Sequence, residues 1–135
     1  MKKVIITTFS DSNYFNLLKE LISSIKRFPQ SNKVSVGILD GGLNNEEVEF
    51  LKDKVNYIEK AKWDIPVSEI RVRGRDYLKN HVSRAYLPEY FPGYDKYIWL
   101  DCDTWLNDWK AIEYLITGCE NGKLAAVQTI APGYR

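Results

Sequence analysis

The chain is poor in cysteine and histidine, with two cysteines and one histidine among 135 residues. Cys102 and Cys119 are not spaced as a C-x-x-C pair, which excludes the common thiolate metal motifs. Two thiols also cannot stabilise a chain of this length in the way that disulfides stabilise small secreted proteins. A reducing compartment is therefore expected, and we predict a cytoplasmic protein.

Long apolar runs and an excess of one charge are absent as well. The apolar residues Val4–Ile6 are followed within a few positions by the polar Ser10-Asp11-Ser12, too soon for a signal-peptide core or a membrane span. The formal net charge is +1, and the Lys and Arg residues are spread along the chain. The sequence has no basic stripe of the kind that would indicate binding to nucleic acid or to anionic lipid. We therefore predict no integral membrane segment and no nucleic-acid partner.

The length suits one domain, and we interpret residues 1–135 as a single domain. Apolar β-branched stretches alternate with amphipathic ones, which predicts an α/β fold with a mostly parallel sheet flanked by helices. Residues 63–74 are predicted to be irregular. Strands are predicted at 4–9, 34–39, 55–58, 97–100 and 124–128, and helices at 17–25, 45–55, 76–90 and 110–116.

Three aspartates, Asp11, Asp40 and Asp101, each follow a predicted strand. Ligands of doubly wound sheets bind outside the carboxyl ends of the strands, so these residues are expected to share one rim. Simpler roles stay open for two of them. Asp11 could cap the helix that follows it, and Asp40 could close a turn with the two glycines after it. Those glycines lack the G-x-G-x-x-G spacing of dinucleotide folds.

The acidic pair Asp101-Cys102-Asp103 is the strongest candidate for chemistry. Two carboxylates one residue apart can turn toward one cation, because the chain leaves extended geometry at the end of a strand. Their hard oxygens suit Mg²⁺ or Mn²⁺, which would neutralise charge on a diphosphate leaving group. Such tripeptides also arise often in solvated turns. Apolar residues on both sides of this one predict burial, so a cation or a basic partner is expected nearby.

Residues 84–106, RAYLPEYFPGYDKYIWLDCDTWL, resemble the central motif of family 8 retaining glycosyltransferases of the GT-A fold. Ser10–Tyr14 and Ile38–Leu43 are similar to segments that the family has after its first two strands. The resemblance covers nearly all of this chain but about half of a typical catalytic domain. It therefore implies a Rossmann-like GT-A sheet, truncated after the D-x-D region.

The resemblance also implies roles for individual side chains. Acidic loop residues would meet the uridine, an arginine would contact the donor, and the acidic pair would hold Mn²⁺ or Mg²⁺. The donor-binding residues are then Asp11, Asn13, Arg84, Asp101 and Cys102, and the metal ligands are Asp101 and Asp103. Cys102 itself is interpreted as a small spacer, since no basic neighbour in sequence indicates an activated thiolate. Arg84 could instead pair with one of the two acids.

Family members usually carry a third metal ligand, a histidine in an H-x-x-G-x-x-K-P-W motif downstream of the acidic pair. This chain has no such motif, and its single histidine, His81, lies upstream, where a surface or half-buried structural role is favoured. The stretch in which the family builds its acceptor side is missing as well. We therefore expect donor binding, with weak or absent transfer by this polypeptide alone.

Three functions follow from these residues. The first is a glycosyltransferase domain that binds a UDP-hexose and serves transfer to a saccharide or lipid-linked saccharide acceptor. The second is an inactive nucleotide-binding module, or a fragment that forms a homodimer through an exposed sheet edge. The third, a D-x-D-x-[TV] phosphohydrolase, is disfavoured because Trp105 stands where Thr or Val is required. The donor sugar and the acceptor stay open.

Overall fold

The computed structural model describes residues 2–128 of the chain. The strands are β1 (Val4–Ser10), β2 (Ser35–Asp40), β3 (Tyr57–Lys60) and β4 (Lys96–Trp99). The α-helices are α1 (Phe15–Lys26), α2 (Asn45–Lys52), α3 (Glu69–Val72), α4 (Lys79–Ser83), α5 (Leu87–Tyr90) and α6 (Lys110–Gly118). Within this range, no helix combines the length and the apolar character needed to cross a bilayer.

The four strands form one parallel sheet in the order β3-β2-β1-β4. All seven residues of β1 are buried, as expected of a central parallel strand covered on both faces. Along the chain, β2 and β3 are added in turn on one side of β1. The last strand, β4, then pairs with β1 on its other side. The strand order thus reverses between β1 and β4. This topology confirms the predicted α/β fold.

Alternate residues of β1 face two different layers of helices. Val4 and Ile6 belong to one core cluster together with residues of α1 and α6, including the fully buried Ile112. Ile5 and Phe9 point to the opposite face, where they meet the α5 segment. Each large aliphatic side chain removed from water in this way stabilises the fold by about 1.5–3 kcal/mol. The sheet is therefore held between helices on both faces.

Helix α1 follows from its apolar spacing. Leu18, Leu21, Ile22 and Ile25 are buried, and they recur at the intervals of one helix face. The helix ends just before Pro29, which begins a short 3₁₀ turn. Because α1 directly follows the turn after β1, its packing against the sheet fixes where that turn lies.

Some element predictions were wrong. Residues 124–128 are not a strand, since none of the strands in residues 2–128 pairs with them, and Leu124 and Val127 are 94% and 81% exposed. An extended segment without a hydrogen-bonding neighbour gains no sheet stabilisation. The predicted helix at 76–90 is instead a series of short turns that includes α4 and α5. Conversely, α3 lies within the stretch predicted to be irregular.

Candidate functional site

A cleft of about 560 Å³ opens at the carboxyl ends of β1 and β4. This is the point where the strand order reverses, and ligands of open α/β sheets bind at such a point. One wall comes from the end of β1 and the turn after it, a second from the α4 region, and a third from the turn after β4. Each residue singled out for the donor or the metal lines this cleft: Asp11, Asn13, Arg84, Asp101, Cys102 and Asp103.

On the β1 side, Asp11 has the capping role that its position in sequence allowed. Its Oδ1 accepts hydrogen bonds from the backbone N–H groups of Asn13, at 2.9 Å, and Tyr14, at 3.3 Å. These bonds shape the short 3₁₀ turn that leads into α1. The same 3₁₀ turn contains Asn13, whose exposed side chain lines the cleft. Capping by Asp11 and a position on the cleft wall therefore coexist.

On the β4 side, Asp101 is held by two donors on the same oxygen. Its Oδ1 accepts from Nη2 of Arg84 at 2.9 Å and from Nε1 of Trp99 at 2.8 Å. The guanidinium of Arg84 also lies over the Trp99 ring, 4.7 Å from its centroid. The pairing of Arg84 with an acid, left open from the sequence, is thus observed. Both partners are partly solvated, so the ion pair stabilises the fold by at most about 1 kcal/mol.

The two acids are exposed, which corrects the expectation that they would be buried. The ladder between β1 and β4 ends with the Leu100 N–H donating to the Thr7 carbonyl at 3.0 Å. The chain then turns, and the Thr104 N–H donates to the Asp101 carbonyl at 2.9 Å. Because this turn lies on the rim, both carboxylates reach solvent. Asp103 has no hydrogen-bond or ion-pair partner within residues 2–128.

Cys102 is half-buried between the two acids, and it packs against a cluster that includes Leu18, Ile22 and Ile38. Burial raises the pKa of its thiol, and the neighbouring Asp103 carboxylate raises it further. Both effects disfavour the thiolate form that thiol chemistry requires. Its packing agrees with the small spacer inferred from the sequence.

The acidic turn offers some, but not all, of the ligands that a divalent cation needs. Oδ1 of Asp101 is engaged, but Oδ2 of Asp101 and both oxygens of Asp103 have no partner within residues 2–128. In the same range, no three His, Cys, Asp or Glu side chains are grouped closely enough to hold a metal. Mg²⁺ is commonly held by one or two carboxylates together with substrate phosphates and water. The two acids could therefore hold a cation that also binds a phosphorylated ligand.

Asp40 follows β2 as predicted, but its side chain does not line the cleft. The residue is 7% exposed. Its Oδ1 accepts from the N–H groups of Gly42, at 2.8 Å, and Leu43, at 2.7 Å, while Oδ2 lies 3.1 Å from Nζ of Lys60. Of the two roles left open for Asp40 from the sequence, the structure shows the closing of the turn. The carboxylate closes the turn after β2, on the far side of β1 from β4.

The Asp40 turn makes stability depend on pH. Burial raises the pKa of Asp40, but the Leu43 and Gly42 N–H groups and Lys60 outweigh it and leave the pKa below its ordinary value. The pKa of Asp40 is lower in the folded protein than in the unfolded chain. Its charge therefore stabilises the fold at pH values above the pKa of the unfolded chain, and this stabilisation is lost as the pH falls through the pKa of the folded protein. Asp40→Asn should lower the free energy of unfolding by about 1 kcal/mol at neutral pH.

Urea unfolding at a series of pH values measures this effect. The difference between Asp40→Asn and the unmodified protein should shrink as the pH falls toward and below the folded pKa of Asp40. A difference that stays constant across the acid range would show that the charge of Asp40 contributes nothing.

The wall that the α4 region contributes was not predicted from the sequence. Tyr77, Asn80 and His81 line the cleft beside Arg84, and Oδ1 of Asn80 lies 3.4 Å from both Nε and Nη2 of Arg84. Positions 77, 80, 81 and 84 have the spacing of a single helix face. That spacing was the available signal, because Arg84 was already assigned to the site. His81 is exposed and lies on the cleft wall.

The family model for glycosyl transferase family 8 matches residues 5–131. The chain belongs to this family. No curated protein sequence matches this family 8 chain. The family assignment leaves the phosphohydrolase alternative without support.

Two solved structures show the fold of this family 8 chain. An active-site variant of LgtC is 18% identical, with a TM-score of 0.57, and the match covers 80% of this chain and 41% of that one. Galactosyltransferase LgtC in complex with donor and acceptor sugar analogs is 17% identical, with a TM-score of 0.59, and the match covers 87% of this chain and 49% of that one. The GT-A fold is thereby confirmed. The match spans less than half the length of either structure.

Proposed function

We propose that this chain is a donor-binding domain that binds a nucleotide-diphosphate sugar, UDP-hexose, in the cleft between the ends of β1 and β4. The domain would serve glycosyl transfer to a saccharide or lipid-linked saccharide acceptor. One observation carries the proposal: six residues assigned from the sequence, on three separate segments, line one cleft at the switch point of the sheet. LgtC, which shares the fold, was solved with donor and acceptor sugar analogs.

The charges of the cleft support a role for a divalent cation. Asp11, Asp101 and Asp103 contribute three carboxylates to its lining, against the single guanidinium of Arg84. A diphosphate would be repelled by this excess of negative charge unless a cation were bound with it. We therefore propose that Mn²⁺ or Mg²⁺ is held by Asp101 and Asp103 and completes its coordination with the diphosphate and water.

Different residues of the cleft would contact different parts of the ligand. Asp11 and Asn13 present acceptors and donors suited to a base or ribose, on the wall formed by the turn after β1. Arg84 offers a planar fork of N–H donors to phosphate oxygens. A bound cation would neutralise charge that develops on the diphosphate as the sugar departs. Arg84 would stabilise the same charge directly, because it is fixed in place before the ligand arrives.

A second candidate is nucleotide binding without transfer. The absence of a group of three or more metal-ligating side chains within residues 2–128 supports it. Release of UDP from UDP-galactose or UDP-glucose, with and without an oligosaccharide, separates the two candidates. A homodimer and a cytoplasmic location remain predictions from the sequence.

Titration calorimetry of UDP tests the proposal. UDP should bind at least about tenfold more tightly in Mn²⁺ than in EDTA, because the cation relieves the repulsion between the acids and the diphosphate. Uridine, which has no phosphate, should show no dependence on the metal. Equal UDP affinities in Mn²⁺ and in EDTA would contradict the proposed site.

A further inference from the structure

Trp99 lies beside the cleft but does not line it. It is the last residue of β4, pairs with Thr7 of β1, and is half-buried against the cluster that contains Ile5 and Phe9. The strand pairing fixes its backbone, and the cluster packs against its side chain. Trp99 is therefore a fixed part of the scaffold, directly next to residues that the ligand would touch.

Two contacts of Trp99 reach residues that line the cleft. Its Nε1–H donates at 2.8 Å to Oδ1 of Asp101, which lies two residues further along the chain, just beyond β4. Its ring also lies 4.7 Å below the guanidinium of Arg84. Arg84 in turn donates to the same Oδ1 at 2.9 Å. One indole thus contacts both the acid assigned to the cation and the arginine assigned to the phosphates.

These contacts leave the two oxygens of Asp101 in different states. Oδ1 has two donors, which restrict rotation of the carboxylate, while Oδ2 has no hydrogen bond within residues 2–128. Partners of this kind behind a metal ligand typically change metal affinity by about 10–100-fold when they are removed. The indole N–H and Arg84 together thus engage Oδ1 and leave Oδ2 open to a cation.

We propose that Trp99 is a positioning residue of the donor site. Its N–H orients Asp101 so that Oδ2 is presented to the cation, and its ring supports Arg84 in the position where the phosphates bind. This inference rests on the proposed function, since it assumes that Asp101 holds a cation and that Arg84 contacts the donor.

Two substitutions separate the N–H from the ring. Trp99→Phe removes the donor and keeps an aromatic face, so Mn²⁺ affinity in saturating UDP should fall by about tenfold. UDP binding in EDTA should stay unchanged. Trp99→Leu removes both features, so the same loss of Mn²⁺ affinity should be joined by a loss of about threefold in UDP affinity in EDTA.

Tyr97→Phe is the matched control. Tyr97 lies on the same strand and the same face, and its hydroxyl donates to the Phe91 carbonyl at 2.8 Å, away from the acidic pair. Its loss should leave both affinities unchanged. Free Mn²⁺ is measured by electron paramagnetic resonance, UDP binding by calorimetry, and folding of each variant by thermal unfolding.

The outcomes distinguish the inference from the function on which it rests. A Trp99→Phe variant that binds Mn²⁺ as tightly as a metal-dependent wild-type protein would overturn the positioning role. Loss of Mn²⁺ affinity in Tyr97→Phe to the same degree would also overturn it, because the effect would then come from general loosening of β4. A wild-type protein whose UDP affinity ignores Mn²⁺ would overturn the proposed function, and the inference with it.

Discussion

Replacing Asp101 and Asp103 together by asparagine should weaken UDP binding in Mn²⁺ by at least about tenfold, the whole enhancement that the cation provides. Both carboxylates are on the wall of the cleft, and Asp103 has no competing partner within residues 2–128. An amide is a poor ligand for a hard divalent cation compared with a charged carboxylate. The variant should therefore lose the contribution that the cation makes to diphosphate binding. Calorimetry of UDP in Mn²⁺ measures the change directly.

The same variant should behave differently in EDTA. Without a cation the two carboxylates repel the diphosphate, so their neutralisation should leave UDP binding unchanged or slightly stronger. Loss of affinity in Mn²⁺ combined with no loss in EDTA identifies a metal effect. An equal loss under both conditions would mean that the acids contact the nucleotide themselves, or that the cleft has been deformed.

General unfolding should not confound this result. Both acids are solvent-exposed, and the Arg84–Asp101 pair stabilises the fold by at most about 1 kcal/mol. Thermal unfolding should therefore show a nearly unchanged midpoint. A large fall in the midpoint would indicate that the acidic turn is needed for folding.

Arg84→Met should weaken UDP binding by about 10–100-fold, whether or not Mn²⁺ is present. Arg84 supplies the only guanidinium among the described residues that line the cleft, and hydrogen bonds to a charged group are the strong ones. Methionine keeps most of the aliphatic stem while removing every donor. Binding of uridine, which carries no phosphate, should be unaffected. Calorimetry of the two ligands measures the difference.

Arg84→Lys is the matched control for charge. Lysine restores a positive charge but not the planar fork, so it should recover part of the lost affinity. If Arg84→Met binds UDP as well as the unmodified protein does, Arg84 serves only as the partner of Asp101.

The central strands could be predicted from the sequence because they are apolar β-branched runs bounded by polar turns. β1, β2 and β4 were found within two residues of their observed ends. Residues 124–128 have a similar composition, yet they form no strand. Strand formation needs a neighbour, and a sequence pattern does not reveal whether one is present. Local composition thus predicted the strands whose partners exist among the described residues.

The connection from β3 to β4 was the least predictable part of the fold. The predicted helix at 76–90 is broken into short turns, and its last part packs on the sheet: Leu87, Tyr90 and the adjacent Phe91 join the cluster that contains Ile5. Gly37 permits that packing, since a Cβ there would lie 2.9 Å from the Phe91 ring. A contact between residues so distant in sequence cannot be read from local periodicity.

The grouping of the assigned side chains was predicted better than their environment. The assigned side chains line one cleft because parallel strands bring their carboxyl ends to one edge. The exposure of Asp101 and Asp103 was not foreseen, since the apolar flanks suggested burial while the rim turn faces solvent. Asp40 was assigned to the same edge correctly, but its carboxylate is used by its own turn.

Anomalous diffraction from a crystal grown with UDP and Mn²⁺ tests the central claim most directly. We expect a single manganese peak between the carboxylates of Asp101 and Asp103, within bonding distance of both and of the diphosphate oxygens. A nucleotide bound in the cleft without manganese at these carboxylates, or manganese bound elsewhere on the protein, would contradict the account.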